Sequence, residues 1–182
     1  MSSDFIKARQ RALCAAALLA SGQPVTGKDL RKTLGDIPNE RLAEVITDLK
    51  QTLAENSLGL IIEEVAGGFR LVVEPSLIPD LSELLSPPPL PRLSSAALET
   101  LALIAYKQPV TRGELEAARG ASCASTVDTL QERELIKVVG RKDVIGKPLL
   151  FATTDKFLIE FGLNSLDDLP PLEDKPAEFL RG

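Results

Sequence analysis

Few residues in this chain could do covalent or acid–base chemistry, and their spacing does not favour it. The 182 residues contain no histidine. That removes Ser-His-Asp and Cys-His nucleophile systems and the commonest metal ligand. Neither Cys14 nor Cys123 has a partner at metal-ligand spacing. Cys14 falls in an alanine-rich helical run and Cys123 on a helix face, so both are expected to be small core residues. Gly67-Gly68 lacks the lysine and the serine or threonine of a phosphate loop and is expected to be a turn. Asp167-Asp168 and Glu173-Asp174 are adjacent acids in a polar tail, where solvated charge is the default. No catalytic, cofactor-binding or metal site is expected, so the chain is read as a binding protein and not an enzyme. Only one loop is locally basic, with Arg141, Lys142 and Lys147 interrupted by Asp143.

The elements that must position such groups are legible because the chain contains one phrase twice. Gln23-Pro24-Val25-Thr26 recurs as Gln108-Pro109-Val110-Thr111, 85 residues on. At that offset 11 of the 24 positions from Ala12 to Gly35 are identical, which implies a duplicated domain rather than a solenoid. In each copy an apolar run at helical spacing stops at the proline, which cannot continue a helix. Thr26 with Asp29, and Thr111 with Glu114, then read as capping boxes of a new helix. Val25 with Leu30, and Val110 with Leu115, take the positions of a hydrophobic staple. Gly35 and Gly120 end these short helices, where a left-handed residue is wanted. The pattern is a helix-turn-helix.

A third helix follows in each copy. Asn39 is read as the cap of a helix with Leu42, Val45, Ile46, Leu49 and Leu53 on one stripe, and Ser122 as the cap of one carrying Cys123, Val127 and Leu130. Leu60–Val65 and Phe69–Val73 flank the turn Ala66-Gly67-Gly68; Leu135–Val139 and Leu149–Thr153 flank a loop from Gly140 to Pro148. Three helices closed by a two-stranded wing make a winged helix-turn-helix. The expected fold is therefore mainly α with small β wings (α+β), two such domains in tandem. The expected divisions are 1–80, a proline-rich linker 81–93, 94–168, and a flexible acidic tail 169–182. Four of the five positions from Pro87 to Pro91 are proline, which favours a semi-rigid polyproline II spacer.

Lys7, Arg9 and Arg11 before an apolar run resemble a secretory signal, but the equivalent run from Ala97 to Tyr106 lies in mid-chain. No stretch approaches the roughly 20 apolar residues of a membrane span. With one cysteine per domain, a reduced, cytoplasmic protein is expected. A winged helix suggests DNA, yet the net charge is −5. Residues 1–80 hold 9 basic and 11 acidic groups, and residues 81–162 hold 10 of each. DNA affinity rests largely on a basic excess. The third helices, where readout would occur, carry Glu40, Glu44, Asp48 and Glu55 in one copy and Asp128, Glu132 and Glu134 in the other. Protein contacts are favoured over a DNA-binding transcriptional regulator, the alternative reading.

The run from Leu93 to Pro170 closely resembles the second half of the segregation and condensation protein B family. The matching phrases are Ala97-Leu98-Glu99-Thr100-Leu101, Ile104-Ala105-Tyr106-Lys107-Gln108-Pro109-Val110-Thr111-Arg112, Leu135-Ile136, Val139-Gly140-Arg141-Lys142-Asp143, Thr153-Thr154, Phe161-Gly162-Leu163 and Leu166-Asp167-Asp168-Leu169-Pro170. In the first half it rests on Leu18-Leu19-Ala20-Ser21-Gly22-Gln23-Pro24 and the order of elements. Lys147 stands where that family usually has arginine, and Phe151 where tyrosine is common. The resemblance implies a homodimer, formed mainly through the first domain. It also implies binding to the kleisin subunit, segregation and condensation protein A, and through it to an SMC ATPase, at the nucleoid. No cofactor and no membrane are implied.

Two surfaces follow. Leu13, Ala16, Ala17, Leu18 and Leu19 spread around more of the leading helix than one core face needs, which makes them the candidate dimer interface. The candidate partner-binding residues are Tyr106, Lys107, Gln108, Arg141, Lys142 and Lys147, with Tyr106-Lys107 replacing the Ser21-Gly22 of the first copy.

Overall fold

The computed structural model of the chain describes residues 3–82, 84 and 92–171. The proline run of the expected spacer and the tail beyond Pro171 lie outside the described residues. Helix α1 (Ser3–Ser21), the short strand β1 (Val25–Thr26), α2 (Gly27–Thr33), α3 (Asn39–Glu55) and the hairpin β2 (Leu60–Val65) and β3 (Gly68–Val73) form the first unit. The second repeats the order with α4 (Ser95–Lys107), β4 (Val110–Thr111), α5 (Arg112–Arg119), α6 (Ala124–Glu132), β5 (Ile136–Arg141) and β6 (Leu149–Thr153). It then adds α7 (Asp155–Phe161). Each sheet is antiparallel, in the orders β1-β3-β2 and β4-β6-β5. The fold is thus the expected one, a winged helix-turn-helix made twice, each with its own apolar core.

Local chemistry explains most of the boundaries and corrects several expected ones. Thr111 and Glu114 form the full capping box. In the first copy Thr26 accepts from the Asp29 N–H and its hydroxyl donates to the Asp29 carboxylate at 2.7 Å, but the reciprocal bond from the Thr26 N–H is not formed. Asn39 is not a cap: Pro38 holds that position, and no side chain bonds there. Ser122 is not a cap either, because Cys123 is, and the Glu116 carboxylate takes the Cys123 N–H at 3.2 Å. The first wing turns on Ala66 and Gly67 alone, at φ 50° and 70°, the left-handed pair that a type I′ hairpin requires. Gly68 belongs to the strand; a Cβ there would lie 2.9 Å from the Val25 carbonyl oxygen, so glycine is what lets β1 pair. In the second wing, β5 continues to Arg141 past an irregularity between Val138 and Gly140, so the loop begins at Lys142 rather than Gly140.

The units differ after the wing. Phe157 of α7 enters the second core, with Leu158, Leu163 and Leu169 packed against it. The first wing is followed instead by the 3₁₀ turns Pro75–Leu77 and Pro79–Leu81. The tip of the first hairpin also meets the segment after α7. Ala66 N–H donates to the Leu163 carbonyl at 3.0 Å, and Gly67 N–H to Asn164 Oδ1 at 2.9 Å.

Candidate functional site

Between α4 and α5 lies a groove of about 370 Å³. Ala102, Leu103 and Ala118 give it an apolar lining, with Tyr106, Lys107, Glu99 and Arg119 around them. The repeat shows why it is open here. At the 85-residue offset, Cys14 stands for Glu99, Leu18 for Leu103 and Leu34 for Arg119. Cys14, Leu18 and Leu34 are all buried, so in the first unit the α1–α2 contact is closed by apolar packing. In the second unit the same contact carries an ion pair, Arg119 Nη2 to Glu99 at 3.3 Å. The Arg119 side chain is only 10% exposed, and its buried Nε has no acceptor among the described residues. Burying a guanidinium without full pairing costs stability that leucine would not. The second copy has therefore given up core closure at this place.

Only Tyr106 and Lys107 of the candidate partner residues line this groove. Lys107 is exposed at the end of α4. Tyr106 is half-buried, and its hydroxyl donates to the Pro170 carbonyl at 2.6 Å. That bond corrects the tail expectation at its start, since Leu169 packs on the core and Pro170 is held. Gln108 serves the fold: its Oε1 accepts from the Thr153 N–H at 2.8 Å and hydroxyl at 3.1 Å, and its Nε2 donates to the Ala105 carbonyl. These bonds tie the end of α4 to β6.

The wing cations sit elsewhere, and two of them are committed locally. Arg141 Nη1 donates to the Lys147 carbonyl at 3.1 Å, closing the wing loop on itself. Lys142 Nζ pairs with Glu114 of α5. This lysine, with the Thr111 N–H and hydroxyl, holds the Glu114 carboxyl down at about 2. Lys147 is exposed. The wing tip is apolar rather than basic, since Val144 is 47% and Ile145 fully exposed. The cations of the first third helix are likewise taken: Arg41 pairs with Glu44 and Lys50 with Glu64, while Asp48 pairs with Arg11 of α1.

On α1 the candidate dimer residues separate into two faces. Leu18 is core, 2% exposed, and is withdrawn from the exposed set because it packs under α3 with Cys14. Ala17 is half-buried against the same core. Leu13, Ala16 and Leu19 are exposed, Leu19 at 70%. Phe5, Ile6, Ala12 and Ala20 join them. At 100° per residue these positions share an arc of about 140°, a second apolar stripe opposite the core. Their repeat equivalents in α4 include Leu101 and Ile104, both buried.

The groove lining at Glu99, Ala102, Leu103, Ala118 and Arg119 was missed by reading each motif alone. The available signal was the set of positions where aligned copies change character, above all Leu34 against Arg119. Cys14 and Cys123 are both fully buried, as expected, and burial raises both thiols, Cys14 to about 11. Among the described residues no cluster of three or more His, Cys, Asp or Glu side chains could hold a metal ion, and no helix is long and apolar enough to cross a membrane.

Fold and surface together define a tandem winged-helix protein whose second unit carries an open interhelical groove. The model of the segregation and condensation complex subunit ScpB family matches residues 12–172. Segregation and condensation protein B of Moorella thermoacetica is 43% identical over 173 residues, 95% of this chain and 88% of the relative. The segregation and condensation protein B homolog of Coxiella burnetii is 44% identical over 163 residues, covering 87% and 77%. Among solved structures, ScpB from Mycobacterium tuberculosis is 32% identical, covers 86% of this chain and 97% of that one, and gives a TM-score of 0.41. The chain belongs to the ScpB family of segregation and condensation complex subunits.

Proposed function

We propose that the chain is the homodimeric, kleisin-binding accessory subunit of a chromosome-condensing SMC complex, without catalytic activity of its own. It works in the cytoplasm and reaches the nucleoid through that complex. Residues 1–80 supply the dimer contact, residues 94–168 capture the kleisin, and 81–93 join them. The observation that carries partner capture is the α4/α5 groove, where the second copy exchanges the closed leucine packing of the first for an ion pair and an accessible apolar lining. The exposed stripe on α1 supports the dimer, because the equivalents of Ala12, Ala16, Leu19 and Ala20 on α4 (Ala97, Leu101, Ile104 and Ala105) are core, although Leu98, the equivalent of Leu13, is exposed.

A DNA-binding regulator would place free cations on its third helices and wings. Here Arg41, Lys50 and Lys142 are ion-paired. Calorimetric titration of the full chain against purified kleisin subunit and against duplex DNA, at low and high salt, tests the reading. Kleisin binding should survive high salt, whereas any DNA affinity should be weak, roughly 10⁻⁴ to 10⁻⁶ M at physiological salt, and fall steeply. Tyr106→Ala with Lys107→Glu should weaken kleisin capture in a folded dimer. A nanomolar DNA complex with no kleisin binding would reverse the assignment.

A further inference from the structure

The two copies treat one position of the short second helix in opposite ways. In the second unit Glu116 of α5 serves the fold. Its carboxylate takes the Ser122 hydroxyl at 3.3 Å and the Cys123 N–H at 3.2 Å, and it pairs with Arg112 at 3.9 Å. At the 85-residue offset each of those donors is gone from the first unit, where Gly27, Ile37 and Pro38 stand for Arg112, Ser122 and Cys123. Glu116 itself becomes Arg31. Lysines arrive beside it, because Lys28 replaces Gly113 and Lys32 replaces Ala117. The three cations sit at i, i+3 and i+4 of α2, on one face of the helix.

That face borders a cavity of about 370 Å³, lined by Lys28, Asp29, Arg31, Lys32, Asp36 and Ile37. The Arg31 Nε is buried and has no acceptor among the described residues. Neither lysine has an ion pair there, whereas Arg11, Arg41, Lys50 and Arg70 of the same unit are each paired. A desolvated guanidinium N–H without a partner costs stability. Its planar fork matches a carboxylate. Asp29 and Asp36 leave the lining only a small positive excess, which suits one carboxylate better than a polyanion. A nucleic acid backbone would also bring further negative charge against a chain of net −5.

We propose that this cavity holds an aspartate or glutamate side chain of an acidic peptide segment on a protein partner. Arg31 donates to the carboxylate through Nε, and Lys28 and Lys32 attract it from the rim. The site shares no lining residue with the α4/α5 groove and does not rest on the reading of that groove.

Nuclear magnetic resonance of the full chain, titrated with a short glutamate-rich peptide, tests this. The Arg31 Nε–H signal and the amides of Lys28, Lys32 and Ile37 should shift to saturation, and the glutamine version of the peptide should leave them in place. Arg31→Gln, followed on those amides, should weaken binding about ten-fold, the worth of one charge-assisted hydrogen bond. Lys28→Gln with Lys32→Gln, both at exposed positions, should weaken it as well and make it less sensitive to salt. Urea unfolding of Arg31→Gln should match or exceed wild type, because an unpaired buried donor is removed. No saturable shift, or equal shifts with the glutamine peptide, would overturn the proposal. Tighter binding of duplex DNA at the same signals would overturn it in favour of phosphate. Marked destabilisation by Arg31→Gln would make the guanidinium a structural group and overturn the assignment too.

Discussion

Glu114 does two jobs at once. Its carboxylate closes the capping box on Thr111 and receives Lys142 from the wing, so a single side chain ties α5 to the second hairpin. Lys142 and the two Thr111 donors lower its carboxyl from 4.5 to about 2. A folded-state value below the unfolded one gives stability that is complete above about 4.5 and lost as pH falls towards 2. Urea unfolding of wild type should therefore weaken more steeply across that window than unfolding of Glu114→Gln, and salt should shrink the difference because the pair is exposed. Superimposable pH profiles would mean that the pair does not form. The buried cysteines behave oppositely. Their raised thiols keep the protonated form, so alkylation of Cys14 and Cys123 at pH 8 should track global unfolding. Modification faster than unfolding, read by mass spectrometry, would contradict their burial.

At the level of elements, helix α1 carries two apolar faces, one buried in the core and one exposed. Leu18→Ala removes a fully packed side chain and should cost about 2–5 kcal/mol of unfolding free energy. Leu19→Glu changes a residue that is 70% exposed and should leave monomer stability nearly unaltered while splitting the dimer, as light scattering would report. A Leu19→Glu chain that stays dimeric would move the interface off α1. The sequence read these elements well where the deciding chemistry is local. Pro24, Thr111-Glu114, Gly120 and the Ala66-Gly67 turn each set a boundary within a few residues of themselves. It misread those that depend on distant partners. Asn39 and Ser122 are good caps by type, but Pro38 and the Glu116 carboxylate hold those helix starts. Leu18 and Leu19 are alike as residues, and only packing under α3 tells them apart. Gln108 and Arg141 look like surface contacts until their bonds to Thr153 and Lys147 are seen.

In the whole molecule, duplication supplied two equivalent frameworks and divergence assigned them different surfaces. The first unit closed its α1–α2 contact and left the other side of α1 exposed; the second packed α4 against α6 and β6 and left an accessible groove between α4 and α5. The proposed function uses this difference: pairing with a second copy through the first unit and capture of the kleisin through the second. The most direct test of that division is calorimetric titration of the kleisin subunit into the full chain carrying Ala102→Glu. Ala102 is exposed on a helix, so glutamate is tolerated by the fold while it places charge on the apolar lining. Kleisin affinity should fall at least about ten-fold, close to 1.4 kcal/mol, while light scattering still reports a dimer. An unchanged affinity in an intact dimer would contradict the account and send the search for the kleisin site elsewhere on the molecule.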